Sequence, residues 1–512
     1  MAMTEETPNL QQYNELRKKH REELLRSVDP TEALFSDLAT IEKLKNKVSE
    51  IRSVKIIKEA ADKILSLPAD KNYRSTICPF ITVLRKNGHA HVASVFTKGS
   101  KDELLTDDTF ELLHKKLDEL CTYLDPDCGI IESLISEGVF DESDEERVLA
   151  RNTEHRKARE IIKIISRRSK SSYRSFVSVL EKMDQEHILH ILNENGSPPI
   201  SKIHLRLINK QREQIVKHID STHTFFVDKL VSLGVFTDID SQRVEAKQTP
   251  LKRNRQILTI LLRKSKRRFD KFLVALNRTE QGHLISLFQG IQINATLHLN
   301  LSDDTQAELE AVETLLRTTL GREIEDEESE ISNELDDMGI YAAGVEEGCI
   351  RIWFKFLTRE TLEMMRSDKL DRCFTERYCK MFSYKGLQSI HVVISEREFE
   401  RCERICITRQ APMKPEHQQA LQFTRDRIED KMTVTEDLLD ELSLHDCRRD
   451  AILSQSSEKD EVKVLLDVMT CRPDCEFQQL LNALRNTQQD NAANFIISKC
   501  IDLLGARNGE QP

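Results

Sequence analysis

A segment of this chain repeats within the chain itself, and the repeat sets the size of a domain without any outside reference. The run Leu134–Phe140 returns as Leu230–Phe236, an offset of 96 residues (230 − 134). The register then holds without a gap through the pairs Val148 and Val244, Thr153 and Thr249, Arg159 and Arg255, Ile161 and Ile257, Phe176 and Phe272, Leu180 and Leu276, and His187 and His283. Agreement of both apolar positions and turn residues over this length predicts one domain present in two adjacent copies.

Within each copy the apolar residues follow the spacing of amphipathic helices. In the first copy Ile161, Ile162, Ile164 and Ile165 precede Phe176, Val179 and Leu180, and in the second copy Leu258, Leu261 and Leu262 precede Phe272, Ala275 and Leu276. The chain of 512 residues has only 15 glycines and 12 prolines to interrupt such segments. Each copy is therefore predicted to be a bundle of about five or six short helices.

Looser versions of the same template flank the two copies. An arginine followed three residues later by leucine or isoleucine opens three of the four units, at Arg21, Arg212 and Arg425. The first repeat copy departs from this opening, because His114 precedes Leu117 there. Neither outer unit contains the Gly-Val-Phe run, although its apolar residues keep helical spacing. The sequence therefore predicts four bundles, at residues 11–97, 106–194, 204–290 and 417–500.

Residues 291–405 have a different pattern from the bundles. The elements predicted from their spacing are strands at residues 291–301, 339–341, 349–357 and 389–394, and helices at residues 305–320 and 358–382. This β-α-β-β-α-β order is typical of a small α+β domain, the split βαβ or ferredoxin-like fold, which hosts many functions and indicates none of them. Trp353, Phe354 and Phe356 are expected to fill its core.

Charge and cysteine content narrow the classes of function. The formal net charge of −11 argues against wholesale binding of nucleic acid or anionic lipid. The first ten residues form no signal peptide, and no run approaches the roughly 20 apolar residues of a membrane span, so a cytoplasmic protein is expected. Twelve cysteines are scattered along the chain without the paired spacing of a zinc site, which predicts reduced thiols and no metal site.

The two copies share a succession of motifs that resembles the caspase recruitment domain (CARD). The succession is Leu-x-x-x-Gly-Val-Phe, then Val148 or Val244, a turn with Thr153 or Thr249, an isoleucine- and leucine-rich helix, and Phe176 or Phe272. The resemblance covers almost all of residues 110–193 and 206–290. It is weaker over residues 11–97 and 417–498, which also fit death-effector-like members of the same superfamily. The absence of an Arg-x-Asp-Leu ending favours recruitment domains throughout.

The resemblance implies a mainly α protein, with tandem six-helix Greek-key bundles of the death-fold superfamily and one small α+β domain. It implies no catalytic residue and no cofactor. It implies homotypic binding to CARD-containing caspases, kinases, sensors or adaptors that regulate apoptosis or innate immune signalling. Homo-oligomers or filaments are compatible with it, and no membrane or nucleic-acid partner is implied.

Opposite charges are segregated along the bundle sequences, which predicts complementary faces for protein interaction. The predicted basic face comprises Arg156, Lys157, Arg159, Lys163, Arg167, Arg168, Lys252, Arg253, Arg255 and Arg263. The predicted acidic face comprises Glu137, Asp141, Glu142, Asp144, Glu145, Glu436, Asp437, Asp440 and Glu441. The first-helix arginines Arg21, Arg212 and Arg425 are further candidates. Because the basic and acidic faces are different surfaces, a contact between them would be heterologous and could propagate.

Two other classes of function compete with an adaptor. The basic run Lys264–Lys271 of the third bundle is a candidate site for RNA or anionic lipid, although Phe269 and Phe272 fit a bundle core better than a stacking platform. An enzyme would need a signature that the sequence lacks, since it has no phosphate loop and no caspase, kinase or GxSxG motif. His445 and Cys447 are neighbours without an evident orienting group, so no catalytic residue is predicted.

Overall fold

The structure is a computed structural model that describes residues 9–41, 44–54, 57–69, 76–87, 89–98, 104–222, 225–302, 309–325, 329–345, 350–408, 412–425, 427 and 432–508. The chain divides into two compact units. The first unit comprises residues 1–200 together with 259–269, and the second comprises residues 201–258 together with 270–512. The second repeat copy therefore contributes one segment to the first unit and the rest to the second.

The amino-terminal part of the first unit is a helical bundle. Its helices are α1 (Leu10–Lys19), α2 (Arg21–Ser27), α3 (Glu32–Ala39), α4 (Lys45–Arg52), α5 (Ile57–Ser66), α6 (Ile77–Lys86) and α7 (Ala90–Lys98). Tyr13, Phe80 and Phe96 lie in its apolar core. The Tyr13 ring stacks on Phe96 at 4.3 Å, and its hydroxyl donates to the Leu65 carbonyl oxygen at 2.8 Å, so the polar end of this buried ring is satisfied.

The first repeat copy follows in the same unit. Its helices are α8 (Asp107–Lys115), α9 (Leu117–Tyr123), α10 (Ile130–Ser136), α11 (Glu142–Leu149), α12 (Glu154–Ile165), α13 (Lys170–Lys182) and α14 (Glu186–Ile191). The side chains of Asp141, Thr153 and Ser169 cap α11, α12 and α13 by accepting hydrogen bonds from backbone N–H groups of the first turn. The isoleucines of α12 and Phe176 of α13 are buried, as their helical spacing predicts.

The second repeat copy has helices in the same order. They are α15 (Lys202–Lys210), α16 (Arg212–His218), α17 (Phe226–Ser232), α18 (Asp238–Glu245), α19 (Pro250–Leu261), α20 (Lys266–Arg278) and α21 (Ile285–Gln289). In both copies the first helix is broken in two, at Lys116 and at Gln211. Gly138 and Gly234 have φ angles of +68° and +65°, which glycine adopts without strain, so the Gly-Val-Phe run forms the same turn twice. The repeat in sequence is a repeat in structure.

Residues 291–408 form a mixed domain around one antiparallel sheet. Its elements are β1 (Ile291–Leu301), α22 (Leu309–Glu325), α23 (Glu330–Asp337), β2 (Ile340–Val345), β3 (Arg351–Phe356), α24 (Arg359–Met364), α25 (Asp368–Met381), β4 (Leu387–Val393) and α26 (Glu396–Thr408). The strand order is β2-β3-β1-β4, with Ile293 opposite Phe354 and Leu299 opposite Ile390. One face of the sheet packs against the helices in a continuous apolar core.

Three details of this domain differ from the sequence prediction. The helix predicted over residues 358–382 is two helices, because Ser367 caps the start of α25. The predicted start of the preceding helix falls at residues 303–308, outside the described residues, and α22 continues to Glu325. Trp353 is 38% exposed and does not fill the core, because it alternates with the buried residues Phe354 and Phe356 and points to the other face of the sheet.

The carboxy-terminal bundle completes the second unit. Its helices are α27 (Pro415–Arg425), α28 (Glu436–Glu441), α29 (Asp446–Leu453), α30 (Glu458–Thr470), α31 (Cys475–Asn486) and α32 (Asp490–Asn508). Ser443 follows α28 with a φ of +49°, so a residue other than glycine supplies the turn that Gly138 and Gly234 supply in the repeat copies. Ile428, expected to follow Arg425 in the first helix, lies outside the described residues. No helix in the described ranges is long and apolar enough to cross a membrane.

Candidate protein-interaction surfaces

A buried glutamine closes each repeat copy in the same way. The Gln185 amide nitrogen donates to the Asp125 carbonyl oxygen at 3.0 Å, and its amide oxygen accepts from the Asp125 N–H at 2.9 Å. Gln281 makes the same two bonds to Asp220, at 3.1 and 2.8 Å. We call this pair of hydrogen bonds the amide clamp, because it ties the start of the last helix to the segment that follows the first helix.

The amide clamp also occurs in the carboxy-terminal bundle. Gln489 donates to the Thr433 carbonyl oxygen at 2.9 Å and accepts from the Thr433 N–H at 2.8 Å. The residue before each glutamine has a positive φ, which is 58° at Asp184, 57° at Glu280 and 61° at Gln488. In the amino-terminal bundle His89 takes the corresponding place, with its ring 3.3 Å from the Asp29 carbonyl oxygen. The two-bond clamp therefore occurs in three bundles, and His89 makes one contact at the corresponding place in the amino-terminal bundle.

A second shared position lies two residues beyond the clamp. It holds the buried histidines His91, His187 and His283, and the exposed Asn491 in the carboxy-terminal bundle. Burial lowers the pKa of His187 to about 4 and the pKa of His283 to about 3, so both rings are neutral at pH 7. The His187 Nε2–H donates to the Tyr123 carbonyl oxygen at 3.1 Å. These histidines are structural groups of the bundles.

In the first unit, Asp29 of the amino-terminal bundle binds two arginines of the first repeat copy. The Asp29 carboxylate is buried, lies 2.7 Å from Arg147 and also pairs with Arg167. Burial by itself would raise the pKa of Asp29, but the charges of Arg167 and Arg147 outweigh it, so the pKa lies below its usual value. The two bundles are therefore joined by a buried, charge-balanced contact.

Three of the predicted interaction residues, Arg167, Asp144 and Arg168, belong to this network. Asp144 is only 2% exposed and pairs with Arg168, which is also buried. The Asp144 carboxylate accepts a hydrogen bond from the Asp141 N–H at 3.3 Å and so caps α11. Asp144 and Arg168 therefore stabilise the first repeat copy from within, and neither is available on an open face.

The segment 259–269 makes a comparable contact in the first unit. Arg263 donates to the Leu124 carbonyl oxygen and lies 3.3 Å from Glu154. Arg268 lies 2.9 Å from the Asp184 carboxylate, next to the clamp. The predicted basic-face residue Arg263 is thus engaged inside the unit.

The same segment contains the run Lys264–Lys271 that is the candidate site for RNA or anionic lipid. Lys264 and Arg268 are buried, and the Lys266 N–H donates to the Pro198 carbonyl oxygen at 2.8 Å. Part of the run therefore packs against protein and does not present its charge as an open basic surface.

In the second unit the carboxy-terminal bundle contacts the second repeat copy directly, although residues 291–405 separate them in sequence. Arg448 is 0% exposed, and its guanidinium lies 3.0 Å from Glu280 and 3.7 Å from Asp220. Arg472 lies 3.0 Å from the same Glu280 carboxylate. Removing one partner from such a buried arrangement leaves the other charge uncompensated, at a cost of about 3–5 kcal/mol.

These contacts use equivalent parts of the bundles. One bundle of each contact contributes the turn that follows its fourth helix, which we call the cationic turn. The cationic turns are residues 167–168, 263–264 and 471–472. The preceding bundle contributes the region around its clamp, which we call the acceptor surface. The acceptor surfaces comprise Asp29 and His89 in the amino-terminal bundle, Leu124, Asp125, Asp184 and Gln185 in the first repeat copy, and Asp220, Glu280 and Gln281 in the second repeat copy. The residue after each cationic turn forms a β-bridge to the segment that enters the bundle: Ser169 to Leu104, Ser265 to Pro199 and Pro473 to Pro412. A single docking geometry thus recurs.

Of the predicted basic-face residues of the first repeat copy, Arg156, Lys157, Arg159 and Lys163 lie on α12, whereas Arg167 and Arg168 lie in the turn after it. Arg156 and Lys163 are exposed and Arg159 is partly exposed. Together with Arg151 they line a surface cavity of about 350 Å³. Arg159 pairs with Asp118 at 2.6 Å, so the structure brings these predicted residues together and leaves most of their charge accessible.

The remaining basic-face residues are more varied in their surroundings. On α19 of the second copy, Lys252 and Arg255 are exposed, while the partly buried Arg253 donates to a backbone carbonyl oxygen at 3.0 Å. On α12, Lys157 is partly buried and lies 2.8 Å from Asp127. The second copy therefore presents a smaller open basic face than the first.

The predicted acidic face is divided between two bundles. In the first copy Asp141 and Glu142 are exposed, Glu145 is partly buried, and Glu137 lies 2.5 Å from Lys182. In the carboxy-terminal bundle all four predicted residues are exposed: Glu436, Asp437, Asp440 and Glu441. The last three of them line a surface cavity of about 870 Å³ that also includes Gln488.

Two of the first-helix arginines form ion pairs within their own bundles. Arg21 lies 3.1 Å from Asp62, and Arg425 lies 3.1 Å from Asp467. Each pair joins the first helix to the fourth, and Arg212 is partly buried. In the repeat copies the same two helices are joined with reversed signs, by Asp118 with Arg159 and by Glu213 with Arg255. Arg21 and Arg425 therefore hold helices together.

Sequence reasoning missed the amide clamp and the buried network. Part of a signal for the clamp is present, because Gln185 and Gln281 are separated by the repeat offset of 96 residues (281 − 185), although their partners Asp125 and Asp220 are separated by 95 (220 − 125). No local pattern pairs Glu280 with a cation 168 residues further along the chain. Only the three-dimensional arrangement identifies that contact.

Among the described residues, no group of three or more His, Cys, Asp or Glu side chains is placed to hold a metal ion. Cys402 and Cys471 have raised pKa values because of burial, so neither thiol is activated as a thiolate. The side chain of Cys447, the neighbour of His445 in sequence, lies outside the described residues.

The sequence model of the caspase recruitment domain matches this chain twice, over residues 110–195 and 205–290. The two matches coincide with the two repeat copies and cover about a third of the chain. A search of curated proteins and a search of solved structures give no match to this chain. Residues 110–195 and 205–290 are thus two caspase recruitment domains in tandem.

Proposed function

We propose that this chain, which carries two caspase recruitment domains, is a non-enzymatic signalling adaptor that binds other such domains. The observation that carries the proposal is the open basic face on α12, where Arg156, Arg159 and Lys163 line one surface cavity. A partner domain would present carboxylates to this face, and Glu436, Asp437, Asp440 and Glu441 are an example of such an exposed acidic group. The face and the domain type together favour protein association over catalysis.

Exposed charge pairs are individually weak, at about 0.2–1 kcal/mol each. A face of several charges raises the association rate and fixes the orientation of the partner, and two domains in tandem add multivalency. We therefore expect association to be fast and salt-dependent. Because the basic and acidic faces are different surfaces, the contact is heterologous, and homo-oligomers or filaments are its expected products.

We extend the proposal to the two outer bundles, residues 11–97 and 417–500, as domains of the same six-helix Greek-key death fold. The amide clamp at Gln489 and its counterpart at His89 support this assignment. The first helix of the amino-terminal bundle is broken at His20, as it is in the two matched domains. The turn at Ser443 adds a further shared feature in the carboxy-terminal bundle.

For residues 291–405 we propose the split βαβ, ferredoxin-like fold. Strand β3 lies between β1 and β2, and every neighbouring pair of strands is antiparallel. This arrangement supports the β-α-β-β-α-β order inferred from the sequence. We assign the domain no binding activity.

The partners that fit this proposal are caspases, kinases, sensors or other adaptors that carry caspase recruitment domains. The processes that such partners serve are the regulation of apoptosis and innate immune signalling, and the compartment we propose is the cytoplasm. The family match supports the partner class.

The test reverses the charge of four basic-face residues, R156E, R159E, R253E and R255E, in the full chain. Co-precipitation with a partner recruitment domain should fall to background, while circular dichroism shows unchanged helical content. A matched control reverses four exposed cations of the mixed domain, K369E, R372E, K380E and R397E, with the same change in net charge. The control should bind the partner normally.

Two results would contradict the proposed mechanism. Intact co-precipitation by the four-fold variant would show that the basic face is not the contact. Steep salt-dependent binding of RNA or anionic vesicles by the wild-type chain, with indifference to other recruitment domains, would favour a polyanion-binding module instead.

A further inference from the structure

Four cations converge on one concave site of the first repeat copy. Arg151 lies in the loop before α12, and Arg156, Arg159 and Lys163 lie on that helix. The three helical positions are three and four residues apart, so their side chains lie on one face of α12. All four cations line the surface cavity of about 350 Å³, together with Glu160, and we call this site the basic cavity.

The carboxylate of the basic cavity is already neutralised from within the bundle. Glu160 is buried and lies 2.8 Å from Arg147 and 2.9 Å from Arg151. Its single negative charge is therefore divided between two guanidinium groups, one of which it holds at the cavity. Glu160 cannot also neutralise the cations that follow on the helix face.

Those other cations have little protein charge opposite them. Arg159 pairs at 2.6 Å with Asp118, whose side chain is 87% exposed, so the pair is open to exchange with solvent ions. Arg156 and Lys163 are exposed, and neither pairs with a carboxylate in the part of the chain that the structure describes. The basic cavity therefore retains positive charge that an anion can neutralise.

We infer that the basic cavity binds a small anion that carries several phosphate groups, such as an inositol polyphosphate or the phosphorylated headgroup of an inositol lipid. The inference goes beyond the proposed function, because it assigns a ligand that is not a protein. The ligand and a partner domain would compete for the same cations. Calorimetry without a partner measures ligand binding, and co-precipitation without ligand measures partner binding, so the failure of each is a separate result.

Size and chemistry favour a compact ligand with more than one phosphate group. A volume of about 350 Å³ lies at the small end of pockets that hold low-molecular-weight ligands. Guanidinium groups bind phosphate oxygens through two parallel hydrogen bonds, and each phosphate monoester carries a charge of about −1.5 to −2 at pH 7. Arg156 and Lys163 are about 10 Å apart along the helix axis, so two phosphates on one scaffold match them better than a single phosphate.

The second repeat copy provides an internal comparison. At the repeat offset of 96 residues (259 − 163), Thr259 takes the place of Lys163, so the second copy lacks one of the cations. Lys252 and Arg255 are exposed at the two other equivalent positions of α19, and Arg255 pairs with Glu213 at 3.0 Å. We therefore expect the ligand to bind the first copy and not the second.

The experiment titrates the full chain with inositol hexakisphosphate in an isothermal calorimeter at about 0.15 M salt. We expect saturable binding, which R156E/K163E should weaken at least about tenfold by replacing the two unpaired cations with carboxylates. R156Q/K163Q removes the charge without adding a carboxylate and should weaken binding less. K252E/R255E makes the same change in net charge as R156E/K163E, at exposed positions of the second copy, and should leave the affinity unchanged.

Two further titrations distinguish the source of the phosphate groups. One uses inositol trisphosphate free in solution, and the other uses phosphatidylcholine vesicles that contain phosphatidylinositol bisphosphate. Tighter binding of the free compound would assign the cavity to a soluble ligand, and tighter binding of the vesicles would assign it to a lipid headgroup. Either preference supports the inference if R156E/K163E weakens it.

Three results would overturn the inference. The first is the absence of binding of the hexakisphosphate up to about 1 mM. The second is an equal loss of affinity in K252E/R255E, which would show that the ligand responds to the net charge of the chain and not to the cavity. The third is tighter binding of a single-stranded oligonucleotide than of the hexakisphosphate, lost in R156E/K163E, which would assign the cavity to nucleic acid.

Discussion

The second repeat copy and the carboxy-terminal bundle contain the same amide clamp in opposite surroundings. Gln281 is buried beside two carboxylates, Asp220 and Glu280, which are neutralised by arginines of the neighbouring bundle. Gln489 lies beside Thr433 and Gln488, whose neutral polar groups can form hydrogen bonds with water. The clamp is therefore a feature of the fold, whereas the carboxylates beside Gln281 require a neighbouring bundle that supplies cations.

The largest effect should follow from removing the buried cation on the covered side of the comparison. R448A leaves Asp220 without its arginine and weakens the neutralisation of Glu280, so the free energy of unfolding of the second unit should fall by about 3–5 kcal/mol. The adjacent Arg449, which pairs with the exposed Asp440 at 2.5 Å, is the control. R449A should cost less than about 1 kcal/mol in chemical denaturation. Equal losses would mean that the contact is not buried in solution.

The clamp should contribute more to the free energy of unfolding in the second repeat copy, where it is buried, than in the carboxy-terminal bundle. Q281L leaves the buried N–H and carbonyl groups of Asp220 without partners, which should cost about 2–3 kcal/mol. Q489L should cost about 1 kcal/mol or less, because water reaches the Thr433 backbone. Thermal unfolding of the two full-length variants measures the difference. A larger loss of stability in Q489L than in Q281L would show that burial does not strengthen the clamp.

Acid should lower the stability of the bundles that bury a histidine, and it should have no such effect at the exposed position of Asn491. The folded-state pKa of His187 is about 4, below the ordinary value of 6.5, so the unfolded chain binds more protons between these pH values. Stability should therefore fall as the pH drops from 7 to 5, by up to about 2 kcal/mol for this ring. The melting temperature of H187N should depend less on pH than that of the wild type. The melting temperature of N491H should depend on pH as the wild type does, because this position is exposed. An unchanged slope in H187N would show that His187 is not the titrating group.

The smallest effect on stability should come from the exposed pair of Arg159 and Asp118. R159A should change the free energy of unfolding by less than about 1 kcal/mol, because solvent screens the pair. Its effect on partner binding should nevertheless be measurable, since Arg159 lines the basic cavity. A loss above about 2 kcal/mol would make the basic face a structural element and not an interaction face.

The sequence was sufficient for the parts of the molecule that repeat or alternate locally. The 96-residue offset, the isoleucine spacing of α12 and the alternation of β1 are local signals, and they predicted the two domains and the first strand. The sequence also grouped Arg156 and Lys163 in one basic stretch, and both side chains are exposed on α12.

The buried charges were beyond local patterns for a physical reason. Asp144 and Arg168 look like surface residues in sequence. In the folded chain they form an ion pair, and this pairing offsets the free-energy cost of burying the two charges. Trp353 looked apolar enough for the core, but the period of two along β3 sends it to the other face of the sheet. The pairing of Arg448 with Glu280 depends on which bundles dock, which no single segment encodes.

Light scattering on residues 105–292 at rising salt tests directly whether recruitment domains of this chain associate through charged, heterologous faces. We expect oligomers or filaments at low ionic strength that dissociate as salt increases, with negative-stain microscopy showing their form. A monomer at every salt and protein concentration would show that they do not associate in this way.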